Sequence, residues 1–284
     1  MKKSFITKLT VIALTFVLSM SAAQADDFII TTGSQGGGYE RLGHMFMAQI
    51  KQQKVDLDLE VVNSNGSVEN IECINTGECQ AAIVQLDALN INPPKGMFKT
   101  KYAHTEKVLW LYNKGLGFSD LSDIEGKKDV FIVIVDGSGA QVTLNSFVQE
   151  DAGYKVNADS AIYADDFYEA VSIVADGRSG SKKVAGTLYV GASIPAEIAN
   201  DFKDKVLVGE ATDSDFNDAE DINGEPLYTN CEIEKQVLRG MNTSTWSNPS
   251  TVCVKAAIVY KADYDKKTMK ALNKAATKAT RGLQ

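Results

Sequence analysis

The chain has 284 residues, 44% of them hydrophobic and 23% charged, which excludes collagen-like, low-complexity and fully disordered polymers. Acidic residues (37) outnumber basic ones (29), giving a net charge of −8, and this argues against nucleic acid or an anionic membrane surface as partner. The length suits one large domain or two of moderate size, with enough chain to bury a core.

Lys2, Lys3 and Lys8 precede an apolar run from Leu9 to Met20, and Ala23-Gln24-Ala25 stands just before Asp26-Asp27. Basic start, short apolar run and small-x-small site together form the pattern of a secretory signal peptide cleaved after Ala25. The run is too short to span a bilayer, and no lipobox cysteine follows it, so a periplasmic protein without a lipid anchor is expected. Cleavage removes three lysines and no acid, leaving 26 basic against 37 acidic groups, a net of −11.

The remaining chain reads as strand, small-residue loop and helix, repeated. Phe28 to Thr32 is a strand, Gly33 to Gly38 a glycine-rich loop, and from Tyr39 a helix buries Leu42, Phe46 and Ile50. Leu57 to Val62 is the second strand. Asn63 to Gly66 turns the chain, and Ser67 is expected as the N-cap of a helix with Val68, Ile71 and Ile74 inward. Gly77 ends that helix, and Ala81 to Val84 is a buried strand running to Gln85 and Asp87. Val108 to Tyr112 is a further strand, and the polar stretch Gly115 to Gly126 is placed near a crossing between domains. Val130 to Val135 reads as a central parallel strand followed by Gly137-Ser138-Gly139 and a helix. A helix over about 165–175, a strand over 184–190 closed by Gly191-Ala192-Ser193, and a helix led by Pro195 follow. Residues 211–230 are acidic and loop-rich, 252–260 a strand, and 266–278 a lysine-rich amphipathic helix.

Alternating strands and helices imply an α/β architecture with parallel sheets. In such sheets ligands bind beyond the carboxyl ends of strands, against helix N-termini that offer free N–H groups and partial positive charge. Three loops stand at matching places: Gly33-Ser34-Gln35-Gly36-Gly37-Gly38-Tyr39, Asn63 to Ser67, and Gly137-Ser138-Gly139-Ala140-Gln141. None has the lysine of a phosphate-binding loop or the glycine spacing of a dinucleotide site, so no cofactor is expected. A Ser-His-Asp triad would have to use His44 or His104, both read as surface or core residues, and the chain is expected not to be an enzyme.

Four cysteines, Cys73, Cys79, Cys231 and Cys253, fit an oxidising compartment. They allow three pairings, of which the local one, Cys73–Cys79 and Cys231–Cys253, is favoured. No CxxC occurs and neither histidine neighbours a cysteine, so no metal site is expected.

The segments "ITTGSQGGGYERLG", "NSNGSVENIECINTGECQAAIVQLDAL", "GSGAQ" and "VAGTLYVGASIPAEI" resemble, in order, the signatures of the TAXI family, the extracytoplasmic receptors of TRAP transporters. The likeness runs from about residue 27 to 200. It implies a two-lobed periplasmic binding protein of type II-like fold, each lobe a mainly parallel sheet flanked by helices, closing on a ligand in the cleft between them. It implies a first lobe from 26–113, a second over 114–230, and a return to the first over 231–284. Known members favour glutamate and related C4–C5 dicarboxylates. Carried over, the ligand site draws on Ser34, Gly36, Gly37, Tyr39, Asn63, Ser67, Gln85, Asp87, Ser138, Gly139, Gln141, Gly191 and Ala192. Departures are Gln35, Gly38, Glu40 and Ala140, which cost the pattern two hydroxyls. No arginine lies in the loops, whereas Glu40, Asp87 and Asp136 lie beside them, which favours an amino acid with its ammonium group over a simple dicarboxylate. The expected role is that of a monomeric receptor handing a small solute to membrane permease subunits. Alternatives are a receptor for an ABC importer or sensor kinase, or an exported enzyme on the same fold.

Overall fold

The computed structural model describes residues 26–221, 224–244 and 246–282; the expected signal peptide lies outside them. The chain begins with β1 (Asp26–Thr31), α1 (Gly38–Lys51), β2 (Leu57–Val62), α2 (Ser67–Thr76), β3 (Ala81–Gln85) and α3 (Leu86–Ile91). The long β4 (Phe98–Asn113) leads to β5 (Val130–Val135), α4 (Gly139–Glu150), α5 (Lys155–Asp159) and β6 (Ile162–Ala164). There follow α6 (Phe167–Asp176), β7 (Arg178–Ser179), β8 (Lys182–Gly191), α7 (Ala196–Phe202) and β9 (Val206–Gly209). The chain closes with β10 (Tyr228–Glu232), α8 (Lys235–Leu238), β11 (Ser250–Lys261) and α9 (Lys266–Arg281).

The strands join in one mixed sheet in the order β2-β1-β3-β11-β4-β8-β5-β6, with β10 on β11, β9 on β4 and β7 on β8. Pairs β1–β2, β1–β3, β5–β6 and β5–β8 are parallel, as helix crossovers require. The pairs made by β4 and by β11 are antiparallel. Residues 98–105 of β4 pair with β11, and residues 107–113 pair with β8 or β9. β11 likewise meets β10 over 250–254 and β3 over 256–260. Two adjacent strands thus run through both halves of the molecule, and the passage between halves is made inside strands. Gly115–Gly126 lies beyond that passage, in the second half.

Each half is a sheet covered on both faces. In the first, Leu42, Phe46 and Ile50 of α1 and Leu272, Ala275, Ala276 and Ala279 of α9 bury one face of β1, β3 and β11. Ile71 and Ile74 of α2 and Ala88 of α3 cover Ala82, Val84 and Val259 on the other face. In the second, alternation along β4 sends Trp110 and Tyr112 to a core with Ile132, Phe147 and Tyr228. Leu109 and Leu111 go to an opposite core with Val133, Val171 and Val206. This mixed α/β, two-lobed plan is the fold class expected. The disulfides are Cys73–Cys79 and Cys231–Cys253, with Cα separations of 5.2 and 6.0 Å, as the local pairing anticipated. They fit an extracytoplasmic location. No helix of the described residues is long and apolar enough to cross a membrane.

The short α5, β6, β7, β9, β10 and α8 were not foreseen, being too brief to carry a period, and three further differences have particular causes. The first half of β4, Phe98–Lys107, was missed because its lysines, His104 and Glu106 hide any apolar alternation. α3 was missed because six residues are too few for a helical period. Ser67 is not the N-cap: Gly66 holds that position, and Ser67 opens α2 with its side chain turned inward.

Candidate functional site

The first-half helices α1 and α2 and the second-half helix α4 point their N-termini at the boundary between halves. Asn70 fixes α2 there. It is buried, donates to the Thr32 and Ile83 carbonyls (2.6 Å to Ile83), and accepts from the hydroxyls of Thr31 and Ser64 at 2.6 Å. Ser138 caps α4 by accepting from Gln141 N at 3.2 Å. The two N-termini touch. Val68 N donates to Gly137 O at 3.2 Å, and a Cβ on Gly66 would stand 3.1 Å from Gly139 N. Gly66 has φ +135°, a conformation open to glycine alone, so this residue allows both the turn and the close approach. Glu69 folds back on Asn65 N at 2.9 Å and packs over Gly137.

Behind this contact lies a buried polar centre. Glu106, 2% exposed, accepts from the Tyr39 hydroxyl at 2.7 Å and meets His104 Nε2 at 3.2 Å. Burial, then the charge of Glu106, holds the Tyr39 phenol well above its ordinary range, while a hydrogen bond with Ser67 opposes this. Ser67 Oγ accepts from Gln85 N at 3.1 Å. The Gln85 side chain, 1% exposed, crosses to the second half and lies against Gly139, its Nε2 2.6 Å from where a Cβ would be. Gln85 Oε1 and His104 Nδ1 are buried with no hydrogen-bond partner.

Asp87, fully buried in the first turn of α3, accepts from Thr143 of α4 at 2.8 Å, Tyr228 of β10 at 2.7 Å and Ala88 N at 2.8 Å. Burial pushes its carboxyl up to about 6, although these donors oppose the shift, and the charge of Glu106 adds to it. Burial and then the charge of Glu106 also raise the Tyr189 phenol. Two buried carboxylates therefore face one another's field. Among the described residues no lysine or arginine pairs with either: Lys107 is on Glu234 at 3.0 Å, and Arg239 reaches Ser193 at 3.4 Å.

The residues singled out by sequence fall into groups. Tyr39, Ser67, Gln85, Asp87, Ser138 and Gly139 converge on the junction. Gly191 lies beside it, paired with Lys107 and packed on the Tyr189 ring. Ser34, Gly36 and Gly37 form an exposed turn closed by Gly37 N to Ser34 O at 3.0 Å. Glu40 ties that turn through Gly36 N at 2.7 Å, and Asn63 spends its amide on Gly33 O at 2.8 Å and on Glu40. Gln141 and Asp136 hold Gly137 N, and Ala192 is exposed. Glu106, His104, Thr143 and Tyr228 were missed. A cavity of about 580 Å³ bordered by Thr212, Asp213, Asn217 and Ser250 shares no residue with the junction. None of the buried unpartnered polar atoms belongs to its lining.

Chemically, the centre offers a carboxylate and an amide oxygen as acceptors, next to helix N-termini that favour negative charge. It suits a small polar ligand.

Residues 30–279 match the NMT1-like family. A comparison with curated proteins finds no match. Among solved structures, a sulfate-bound mutant of the OxyR2 regulatory domain of Vibrio vulnificus aligns with TM-score 0.50 at 10% identity, over 92% of this chain and 99% of that one. An H2O2-bound OxyR mutant of Corynebacterium glutamicum gives TM-score 0.50 at 11% identity, over 92% and 66%. The GluR0 ligand-binding core in complex with L-glutamate gives 0.49 at 12%, over 92% and 98%. At such identities the likeness concerns fold alone.

Proposed function

Because the chain belongs to the NMT1-like family, of periplasmic-binding-protein type, we propose that it is a periplasmic receptor of TAXI type. It is exported by a signal peptide cleaved after Ala25, binds an amino acid such as glutamate by closure of its halves, and delivers it to a TRAP-type permease. It acts by binding and performs no chemistry. In this reading the ligand's ammonium group meets Glu106 and Gln85 Oε1, and its carboxylate meets the N-termini of α2 and α4. The observation that carries the proposal is the buried Gln85 Oε1, which has no hydrogen-bond partner where the two halves meet. A buried acceptor without a donor costs about 1–3 kcal/mol, which a ligand N–H recovers.

The test is a titration of residues 26–284 with glutamate, glutamine, aspartate, 2-oxoglutarate and succinate, repeated on Glu106→Gln. Hydrogen bonds to charged groups are worth about 1.5–3 kcal/mol, so the variant should bind the preferred amino acid about 10- to 100-fold more weakly. Binding of succinate with no response to any amino acid would remove the ammonium assignment and keep the receptor. Silence toward the whole panel from folded, ligand-free protein would sink this class of solute.

A further inference from the structure

A second polar cluster lies in the other half, far from any role in the cleft. Glu125 follows the turn Leu121–Ile124, Asp151 follows α4, and Asp213 follows β9. One carboxylate oxygen from each lies within 4.8 Å of the other two. That is the separation spanned by two metal–oxygen bonds of about 2.4 Å on one ion. We propose that Glu125, Asp151 and Asp213 bind a calcium ion, with the Tyr154 hydroxyl turned toward it.

Tyr154 is the independent sign. It is fully buried, and its hydroxyl has no hydrogen-bond partner. Its backbone N–H donates to the Asp151 carbonyl at 3.3 Å, which sets it beside the cluster, and besides burial the charges of Asp213, Glu125, Asp120 and Asp151 act on its hydroxyl. A phenol oxygen there lacks only a cation or its hydrating water.

The carboxylates are held in place by backbone. Asp151 accepts from Gly153 N at 2.7 Å, and Asp213 from Asp215 N at 3.0 Å. Glu125 packs against Gly153, and Gly126 N donates to Gly153 O at 3.0 Å. Each acid keeps lone pairs free. Among the described residues none of the three is in an ion pair, and Lys127 nearby donates to the Asp123 carbonyl. All donors are oxygens, with no histidine or cysteine, which selects a hard cation. Ligands from three separate loops favour the adaptable shell of calcium over the strict octahedron of magnesium. The ion would pin the acidic segment around Asp213 to the end of α4.

The experiment follows unfolding of the chelator-treated protein during calcium titration, alongside Tb3+ luminescence excited through tyrosine. Calcium should raise the midpoint by several degrees and saturate with a dissociation constant of about 0.1–1 mM, the range of extracellular modules. Bound Tb3+ should emit, and calcium should quench the emission by competition. Tyr154→Phe should lose most of that emission. Asp213→Asn and Glu125→Gln should abolish the calcium shift, yet in chelator they should unfold no earlier than the parent, because neutralisation relieves carboxylate repulsion. That sign keeps the test valid if one variant folds poorly. The assignment is overturned by no shift at about 10 mM calcium, by a shift that survives both variants, or by an equal shift from magnesium.

Discussion

If the protein works as proposed, Gly66 is the point where closure of the halves is blocked by one methyl group. Gly66→Ala carries two separable costs. The first is strain at φ +135°, about 1–3 kcal/mol whether the halves are open or closed. It should lower the unfolding midpoint by roughly 2–4 °C per kcal/mol in a chain of this size. The second exists only in the closed form, where the new Cβ stands 3.1 Å from Gly139 N and 3.4 Å from Ser138 Cα. Both are backbone atoms and cannot turn aside. Overpacking of this kind costs about 1–3 kcal/mol, which weakens ligand binding by about 5- to 150-fold. Gly77→Ala is the control. Gly77 also has positive φ (+84°), but a Cβ there meets nothing within 4 Å, so it should lose stability and keep affinity. The assays are thermal unfolding without ligand and calorimetric titration with the amino acid that binds the parent. Equal affinity in the two variants would refute the idea that the N-termini of α2 and α4 close on each other around ligand.

Further tests address the buried centre and the disulfides. Gly139→Ala should weaken binding, because its Cβ meets the Gln85 amide, and it should cost less in a Gln85→Ala background than in the parent; additive effects in that cycle would count against the contact. Asp87 ionises in the folded state at about 6 instead of 3.8, so its stabilising share is complete below 3.8 and is lost as pH rises through 6. That amounts to about 3 kcal/mol. Asp87→Asn should therefore flatten the fall in urea midpoint between pH 4 and 6, and an unchanged slope would contradict the assignment. Removing Cys231–Cys253, which spans 22 residues, should cost roughly 3 kcal/mol, against roughly 2 for Cys73–Cys79, which spans 6; unfolding midpoints in the reverse order would refute the loop-entropy account.

The scaffold was legible where apolar spacing is regular. β2 and α1 announce themselves through Leu57–Val62 and Leu42-Phe46-Ile50, because burial on one face leaves a period, and β5 through the unbroken apolar run Val130–Val135, buried on both faces. The site was legible where it is built from loops before helices: Ser67, Ser138 and Gly139 sit at the junction for that reason. Glu106 was not legible, and the cause is a bulge. Thr105 pairs with Lys255 and Tyr102 with Ala257, so two residues of β4 oppose one of β11. The extra residue resets the alternation and turns Glu106 inward. A reading by period 2 carried from either end of β4 would misjudge one side of the break. Ser67 failed as a cap for a different reason. Its hydroxyl is claimed by Gln85 N, a partner 18 residues away that no local pattern reveals.

The position of Glu106 also separates two duties within the site. Thr105 pairs with β11 of the first half and Lys107 with β8 of the second, so Glu106 lies where β4 passes between halves. Any opening must bend or twist β4 and β11 at that passage, because both strands are continuous through it. Atoms near a hinge move little when it opens, whereas the N-termini of α2 and α4, one on each half, separate. In the proposed receptor, contacts with Glu106 would then be available in open and closed states alike, and they would set which ligand enters without favouring closure. Contacts that need both N-termini exist only in the closed state, and only such differential contacts shift the equilibrium. A ligand reduced to its ammonium end should accordingly bind weakly and leave the halves open, while one with a carboxylate at the correct distance should close them. Small-angle scattering with an amine and with the matching amino acid distinguishes the two. Equal compaction by both would show that charge at Glu106 alone drives closure.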